Sequence, residues 1–318
     1  MKRSILLLNM GGPSNLDEVG LFLKNMFDDR YILPIKNDFI RKTLSCVITF
    51  FRKNAAKKNY MQIGSKSPIN DITIRLCKKI NEMAKEIDGE VVVDYVMNYT
   101  PPFADEVVKK YRDFDEIILF PLYPHHSKTT VDSSLYSIEQ AIAKFDIKAK
   151  IKVVPVFYDD ENYNKILLKL IADRSSNLSS DEIAKTDIIF SAHSLPKKNV
   201  ERGDIYQSHI EKHFEILSAL LAKNGLNFKN YHLAYQSKLG PVEWLTPNLS
   251  HILPMLESKR TIVVPLSFCI DNSESDYELA IEYAKLAKVH GFDFYEVVKC
   301  PNDSDEFAKF ILQKALSS

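Results

Sequence analysis

The sequence predicts an α/β protein of two similar lobes, each a parallel sheet flanked by helices, with a ligand cleft between them. Three observations carry this expectation. Short β-branched runs alternate with helical patterns along most of the 318 residues. A pattern of strand, Pro-containing loop, helix and strand occurs at 91–124 and again at 231–268. "ILLLNMGGP" (5–13) and "IIFSAHSLP" (188–196) are both strands that end in a small-residue turn closed by proline. In such folds ligands bind beyond the carboxyl ends of the strands.

Taken in order, the expected strands are 4–10, 90–97, 116–123, 149–157, 187–192, 231–236, 261–268 and 293–299. Each is a short run rich in Val, Ile, Leu, Phe or Tyr, as buried parallel strands are. Helical periodicity fills 104–114, 161–174 and 209–225. The lobes divide at 1–155 and 156–318, with the C-terminal helix able to pack back on the first lobe. The apolar run Ile5–Leu8 is too short for a secretory signal, so it reads as the first strand. No segment holds the roughly 20 apolar residues a membrane span needs. A cytoplasmic location is therefore expected, with attachment at the inner face of a membrane left open.

Residues 24–70 break the alternation. From Phe39 to Asn70 there is no Asp or Glu but there are seven Lys or Arg, around an apolar centre "CVITFF" at 46–51. One reading is an amphipathic helix with a solvated basic face. The other is a cationic, apolar flap over a ligand entrance, able to rest on an anionic membrane. Over the whole chain 42 basic residues balance 42 acidic ones, so no global field favours nucleic acid. Cys46, Cys77, Cys269 and Cys300 are widely spaced and form no zinc-like or cluster-like grouping. They read as small apolar side chains in a reducing compartment, and no iron–sulfur cluster is expected.

Four groups could carry chemistry. "NMGGP" (9–13) is neither GxGxxG nor GxxxxGK[ST], so its glycines suit a close backbone approach as well as a phosphate. His193 stands where an apolar strand turns polar. A lone histidine there is more often structural, but a neutral imidazole can bind a borderline metal or take a proton near pH 7. Glu274, Glu278 and Glu282 follow a strand at i, i+4 and i+8, in a helix that Asp271, Asn272 or Ser273 can cap. They form either a solvated acidic face or a carboxylate path from a cleft. Finally, the loops 121–135 and 235–247 offer Tyr123, Ser127, Thr130 and Trp244, neutral and aromatic groups suited to a large flat ligand.

Together these segments resemble the ferrochelatase family. The resemblance runs through "LLLNMGGP" (6–13), "IGSKSPI" (63–69), "PLYPHHS" (121–127), "FSAHSLP" (190–196) with "RGDIY" (202–206), "LAYQSKLGPVEWL" (233–245) and "DNSESDYELAIEY" (271–283). It implies two Rossmann-like lobes of chelatase type with porphyrin in the cleft between them. It also implies insertion of Fe²⁺ into protoporphyrin IX to form protohaem, the last step of haem biosynthesis, with no cofactor beyond the substrate iron. By the family pattern His193 is metal ligand or proton acceptor, Glu274 the facing carboxylate and metal ligand, and Glu278 the next step of an acidic path. Met10 lies against the other porphyrin face, and Arg52, Tyr60 and Ser67 match positions associated with its carboxylates. The resemblance turns 39–70 into a flap, with a candidate membrane contact at 39–58. Departures are Ile270 and Asn272 in place of serine and histidine, Ala280 in place of an acid, Asn98 in place of arginine, and Ser65 and Lys66 in place of glycines. The rivals are a non-catalytic haem or tetrapyrrole carrier, and a chelatase for coproporphyrin III or cobalt.

Overall fold

The computed structural model describes residues 1–238 and 240–317. The chain runs β1 (Lys2–Asn9), α1 (Val19–Asp28), α2 (Asp38–Met61), α3 (Ile69–Ala84), β2 (Glu90–Met97), α4 (Ala104–Val107), β3 (Glu116–Pro121), α5 (Ser133–Lys144) and β4 (Lys150–Val153). It continues through α6 (Glu161–Ser175), α7 (Ser180–Ile183), β5 (Asp187–His193), α8 (Lys197–Glu201), α9 (Tyr206–Lys223), β6 (Tyr231–Gln236), α10 (Leu249–Met255) and β7 (Arg260–Pro265). A π-helix (Glu274–Tyr283), α11 (Ala284–Val289), β8 (Phe294–Val297) and α12 (Asp305–Ser317) complete it. Among the described residues the strands form two parallel sheets, ordered β2-β1-β3-β4 and β6-β5-β7-β8. The two halves thus repeat one topology, the structural counterpart of the repeat read in the sequence.

Contacts group the chain into two units: Met1–Tyr123, Ser127–Val156 and Asn302–Ser318 form one, and Pro124–His126 with Phe157–Pro301 form the other. In the first unit Leu6, Leu8, Ile117 and Leu119 of β1 and β3 pack under Val107, Ile138 and Ala141. The helix α12 belongs here, packed on α3 and β3, with Phe307, Ala308, Ile311 and Ala315 fully buried. In the second unit Ile189, Ala234 and Val263 of the sheet meet Leu249 and Leu253 of α10, together with Leu279, Tyr283 and Ala287.

Five strands stop short of their expected ends: β1 and β8 by one and two residues, and three others at or near prolines. β3 ends at Pro121, β4 two residues before Pro155, and β7 at Pro265. Proline has no N–H to give a ladder. The 104–114 pattern is also interrupted, as one turn of α4 and a 3-10 turn at Val108–Tyr111. The irregular region 24–70 is dominated by α2, a 24-residue helix in which only Ser45 and Tyr60 are buried. Phe39, Phe50 and Phe51 are 79%, 77% and 75% exposed.

The expected helix after residue 273 also differs in kind. Its first ten residues are a π-helix, with i→i+5 hydrogen bonding, before ordinary α geometry resumes in α11. The Tyr295 hydroxyl donates to the Leu279 carbonyl at 2.8 Å, a side chain entering the helix ladder midway. No helix among the described residues is long and apolar enough to cross a membrane.

Candidate active site

Three strands of the second unit deliver their carboxyl ends to one place. β5 ends on His193, β6 is followed by Ser237, and β7 leads through residues 266–273 to the π-helix starting at Glu274. The His193 ring is 35% exposed and the Glu274 side chain 23%, so both are shielded yet reachable. Nδ1 of His193 lies 3.0 Å from Oε2 of Glu274. A carboxylate can only accept, so the proton of this contact sits on Nδ1. Neutral imidazole then keeps its lone pair on Nε2, the atom that can take a metal or a proton.

Glu278 is held from the other side. The Ser237 N–H donates to its Oε1 at 2.9 Å, and the Ser237 hydroxyl donates to its Oε2. Ser237 adopts φ +67°, a left-handed conformation uncommon for serine, and this turn presents both donors to one carboxylate. Burial, and then the neighbouring Glu274 charge, push the Glu278 pKa up to about 7; the Ser237 hydrogen bonds and His193 only moderate this. For His193, burial alone would lower the pKa. The Glu274 charge, its hydrogen bond and the charge of Glu278 outweigh burial and hold the pKa above the ordinary imidazole value. The site therefore pairs a carboxyl whose pKa is pushed up to about 7 with a histidine whose pKa is held above the ordinary imidazole value.

Asn272, where the family pattern has histidine, holds the start of the π-helix. Its Oδ1 accepts from the Glu274 N–H at 2.7 Å, and its own N–H donates to Ser275 Oγ at 2.9 Å. Of the three capping candidates, it is Asn272 that accepts the helix's first N–H. Ala280 is exposed and lines a cavity of about 160 Å³ with Arg174, Asp276, Glu296 and Lys299. His193, Glu274 and Glu278 do not line that cavity, so Ala280 sits off their path. Glu282 is exposed. Among the described residues no group of three or more His, Cys, Asp or Glu side chains is placed to hold a metal. Cys77, Cys269 and Cys300 are buried and Cys46 is exposed on α2.

The other sequence-derived site residues lie as follows. Met10 follows β1, half-buried, its N–H on Asn9 Oδ1 and its carbonyl accepting from Tyr99 N. Gly11 has φ +77°, and a Cβ on Gly12 would come within 2.5 Å of Ser67 Cβ. The close approach that needs Gly12 is thus made by Ser67, itself buried with its N–H on the Pro13 carbonyl. Tyr60 is buried in the last turn of α2, and Arg52 is exposed, its guanidinium 6.0 Å from the Phe27 ring centre. The buried Tyr123 hydroxyl pairs with Ser134 at 3.1 Å. Ser127 caps the short π-helix Lys128–Asp132 through Thr129 N, and Thr130 Oγ1 donates to the Ser127 carbonyl. In the second unit Trp244 bridges Pro196, and its indole N–H is buried without an acceptor. Asn98 accepts from Ser137 and donates to Ser133, so two serines of α5 surround the position where the family pattern has arginine. The structure thus brings His193, Glu274 and Glu278 together. Ser237, read only as part of a polar loop, is the residue sequence reasoning undervalued. Its role depends on a backbone conformation that its residue type does not announce.

Comparison with known proteins bears on this arrangement. The family model described as Ferrochelatase matches residues 2–317. The "Ferrochelatase" of Campylobacter concisus (strain 13826) is 54% identical over 315 residues, covering 99% of this chain and 98% of that protein. The one from Campylobacter fetus subsp. fetus (strain 82-40) is 53% identical with the same coverage. That of Sulfurimonas denitrificans (strain ATCC 33889 / DSM 1251) is 44% identical, covering 98% and 97%. Among solved structures, SirB from Bacillus subtilis with Fe³⁺ superposes with a TM-score of 0.57 at 12% identity, covering 100% of this chain and 95% of that one. The sirohydrochlorin chelatase SirB from Bacillus subtilis subspecies spizizenii, in complex with cobalt, gives 0.55 at 11%, with the same coverage. At such identities the structural likeness concerns the fold alone.

Proposed function

Because the chain belongs to the ferrochelatase family, we propose that it inserts ferrous iron into protoporphyrin IX to give protohaem, with no resident cofactor. The observation that best supports this is the His193–Glu274 contact with Glu278 next along the π-helix. Insertion releases two pyrrole protons for each Fe²⁺ that enters, so the charge delivered equals the charge removed. His193 Nε2 meets the metal or the departing proton, while Glu274 fixes the ring through Nδ1 and offers the iron a carboxylate oxygen. Glu278, poised near neutral pH, takes protons onward. We assign Met10, Arg52, Tyr60, Ser67, Tyr123, Ser127, Thr130 and Trp244 to the porphyrin, with Arg52 for a porphyrin carboxylate.

The same reading places α2 on a membrane surface. Ile40, Leu44, Val47 and Phe51 recur at helical spacing and are 53%, 37%, 46% and 75% exposed, while Lys42, Arg52 and Lys58 add exposed positive charge. That combination suits an anionic bilayer, the source of an apolar porphyrin, and a cytoplasmic protein resting on its inner face.

The test is an anaerobic assay of purified protein with Fe²⁺ and protoporphyrin, following loss of free-base fluorescence. Turnover is expected, and His193→Ala and Glu274→Gln should each lower kcat by roughly 10²–10⁴-fold. Tight haem binding without turnover would identify a carrier. Faster turnover with coproporphyrin III or cobalt would reassign the substrate.

A further inference from the structure

We propose that Ser267 and Tyr206 are positioning residues for His193, closing a ring of hydrogen bonds around its peptide groups where the β5–β7 ladder stops. The inference rests on the reading of His193 as the group that meets metal or proton.

Strands β5 and β7 pair as far as Ser191 and Pro265, and the last backbone rung runs from Leu266 N–H to the Ser191 carbonyl at 2.8 Å. Alternate residues of a strand turn both N–H and C=O toward the same neighbour. His193, two residues beyond Ser191, therefore faces the β7 side with both groups. By then the chain of β7 has left the sheet. Without partners these would be two orphaned peptide groups at the edge of a partly buried site.

Two hydroxyls replace the missing rungs. The His193 N–H donates to Ser267 Oγ at 2.8 Å, and the Tyr206 hydroxyl donates to the His193 carbonyl at 3.0 Å. Ser267 Oγ and Tyr206 Oη lie 2.8 Å apart. Tyr206 has spent its only proton on the carbonyl, so Ser267 donates to Tyr206. Each hydroxyl then gives one hydrogen bond and takes one, and the ring closes.

The ring is anchored on both sides. Tyr206 is the first residue of α9, 7% exposed, with its N–H on Asp204 Oδ1 at 3.0 Å. On the opposite edge of β5, Ser194 N–H donates to the Gln236 carbonyl at 2.9 Å. Together these contacts fix the direction of the His193 Cα–Cβ bond, and with it the 3.0 Å contact to Glu274. A displacement of about 1 Å at a reacting group can cost roughly 10²-fold in rate.

The experiment is steady-state anaerobic insertion by the full chain carrying Ser267→Ala, Tyr206→Phe, both together, and Ser267→Thr, with His193→Ala alongside. The two single variants should lose about 10- to 100-fold in kcat with KM for porphyrin changed by less than about twofold. The double variant should be no worse than the weaker single one, because the three bonds act as one unit. Ser267→Thr keeps the hydroxyl and should restore kcat. Tyr206→Phe removes one oxygen only and carries the test if Ser267→Ala does not fold. If His193→Ala is inactive while both single variants stay within about twofold of wild-type kcat, or Ser267→Thr is as slow as Ser267→Ala, the positioning role is overturned and the reading of His193 stands. Full turnover by His193→Ala overturns that reading itself, and with it the reason for the ring.

Discussion

Glu278 shows how one side chain can be set against the stability of its own protein. Its folded pKa of about 7 lies above the ordinary carboxylate value, so the native state holds a proton that the unfolded chain gives up. The stability linked to that proton is present below the ordinary carboxylate pKa and is lost as pH rises through about 7. Glu278→Gln removes the linkage. Its Tm should rise relative to wild type between pH 5 and pH 8, while insertion slows. Thermal unfolding across that range checks it, and a Tm difference independent of pH would refute the assignment. The position of His193 at the end of a strand was legible from the apolar run before it. That its proton lies on Nδ1 was not, because Glu274 is 81 residues away in sequence and only the fold brings the two together.

At the level of elements, the π-helix and α2 both depart from what periodicity alone indicates. Four-residue spacing marks a stripe on an α-helix, and the glutamates were read that way. The observed i→i+5 bonding turns the backbone more slowly, so residues four and five apart bracket one face. Glu274 and Glu278 share that face, while Leu279 and Tyr283 go to the core. No local sequence signal announces this, since the Tyr295 hydroxyl on the Leu279 carbonyl comes from another strand. For α2 the composition was legible, and its phenylalanines Phe39, Phe50 and Phe51 are exposed, where a helix packed on its apolar side would bury them. Phe50→Ser with Phe51→Ser should weaken binding to vesicles containing anionic lipid by at least about tenfold, with turnover on detergent-dispersed porphyrin unchanged. Cys46 is exposed on α2 while Cys77, Cys269 and Cys300 are buried, so a fluorophore there reports docking directly. Equal vesicle binding by variant and wild type would end the membrane assignment.

At the scale of the whole molecule, repetition made the fold readable. Two copies of one strand order were visible as two copies of one segment pattern, and β2 and β6 fall where the sequence placed them. Prolines, which the sequence also displays, decide where β3, β4 and β7 stop. The final helix, expected as able to pack back on the first lobe, groups with the first unit and lies on α3 and β3. Phe307 is fully buried in the first unit, so Phe307→Ala should cost about 3–5 kcal/mol in urea unfolding, and a loss below about 1 kcal/mol would contradict that packing. The same helix imposes an order of assembly. Synthesis proceeds from the N-terminus at roughly 5–20 residues per second, so about 8–30 s separate the completion of β4 from the appearance of α12. Throughout that interval the surfaces of α3 and β3 that α12 will cover stay open to water and to chaperones. The first sheet to be translated is therefore the last to be sealed, and a ribosome stalled near residue 300 would leave it unfinished.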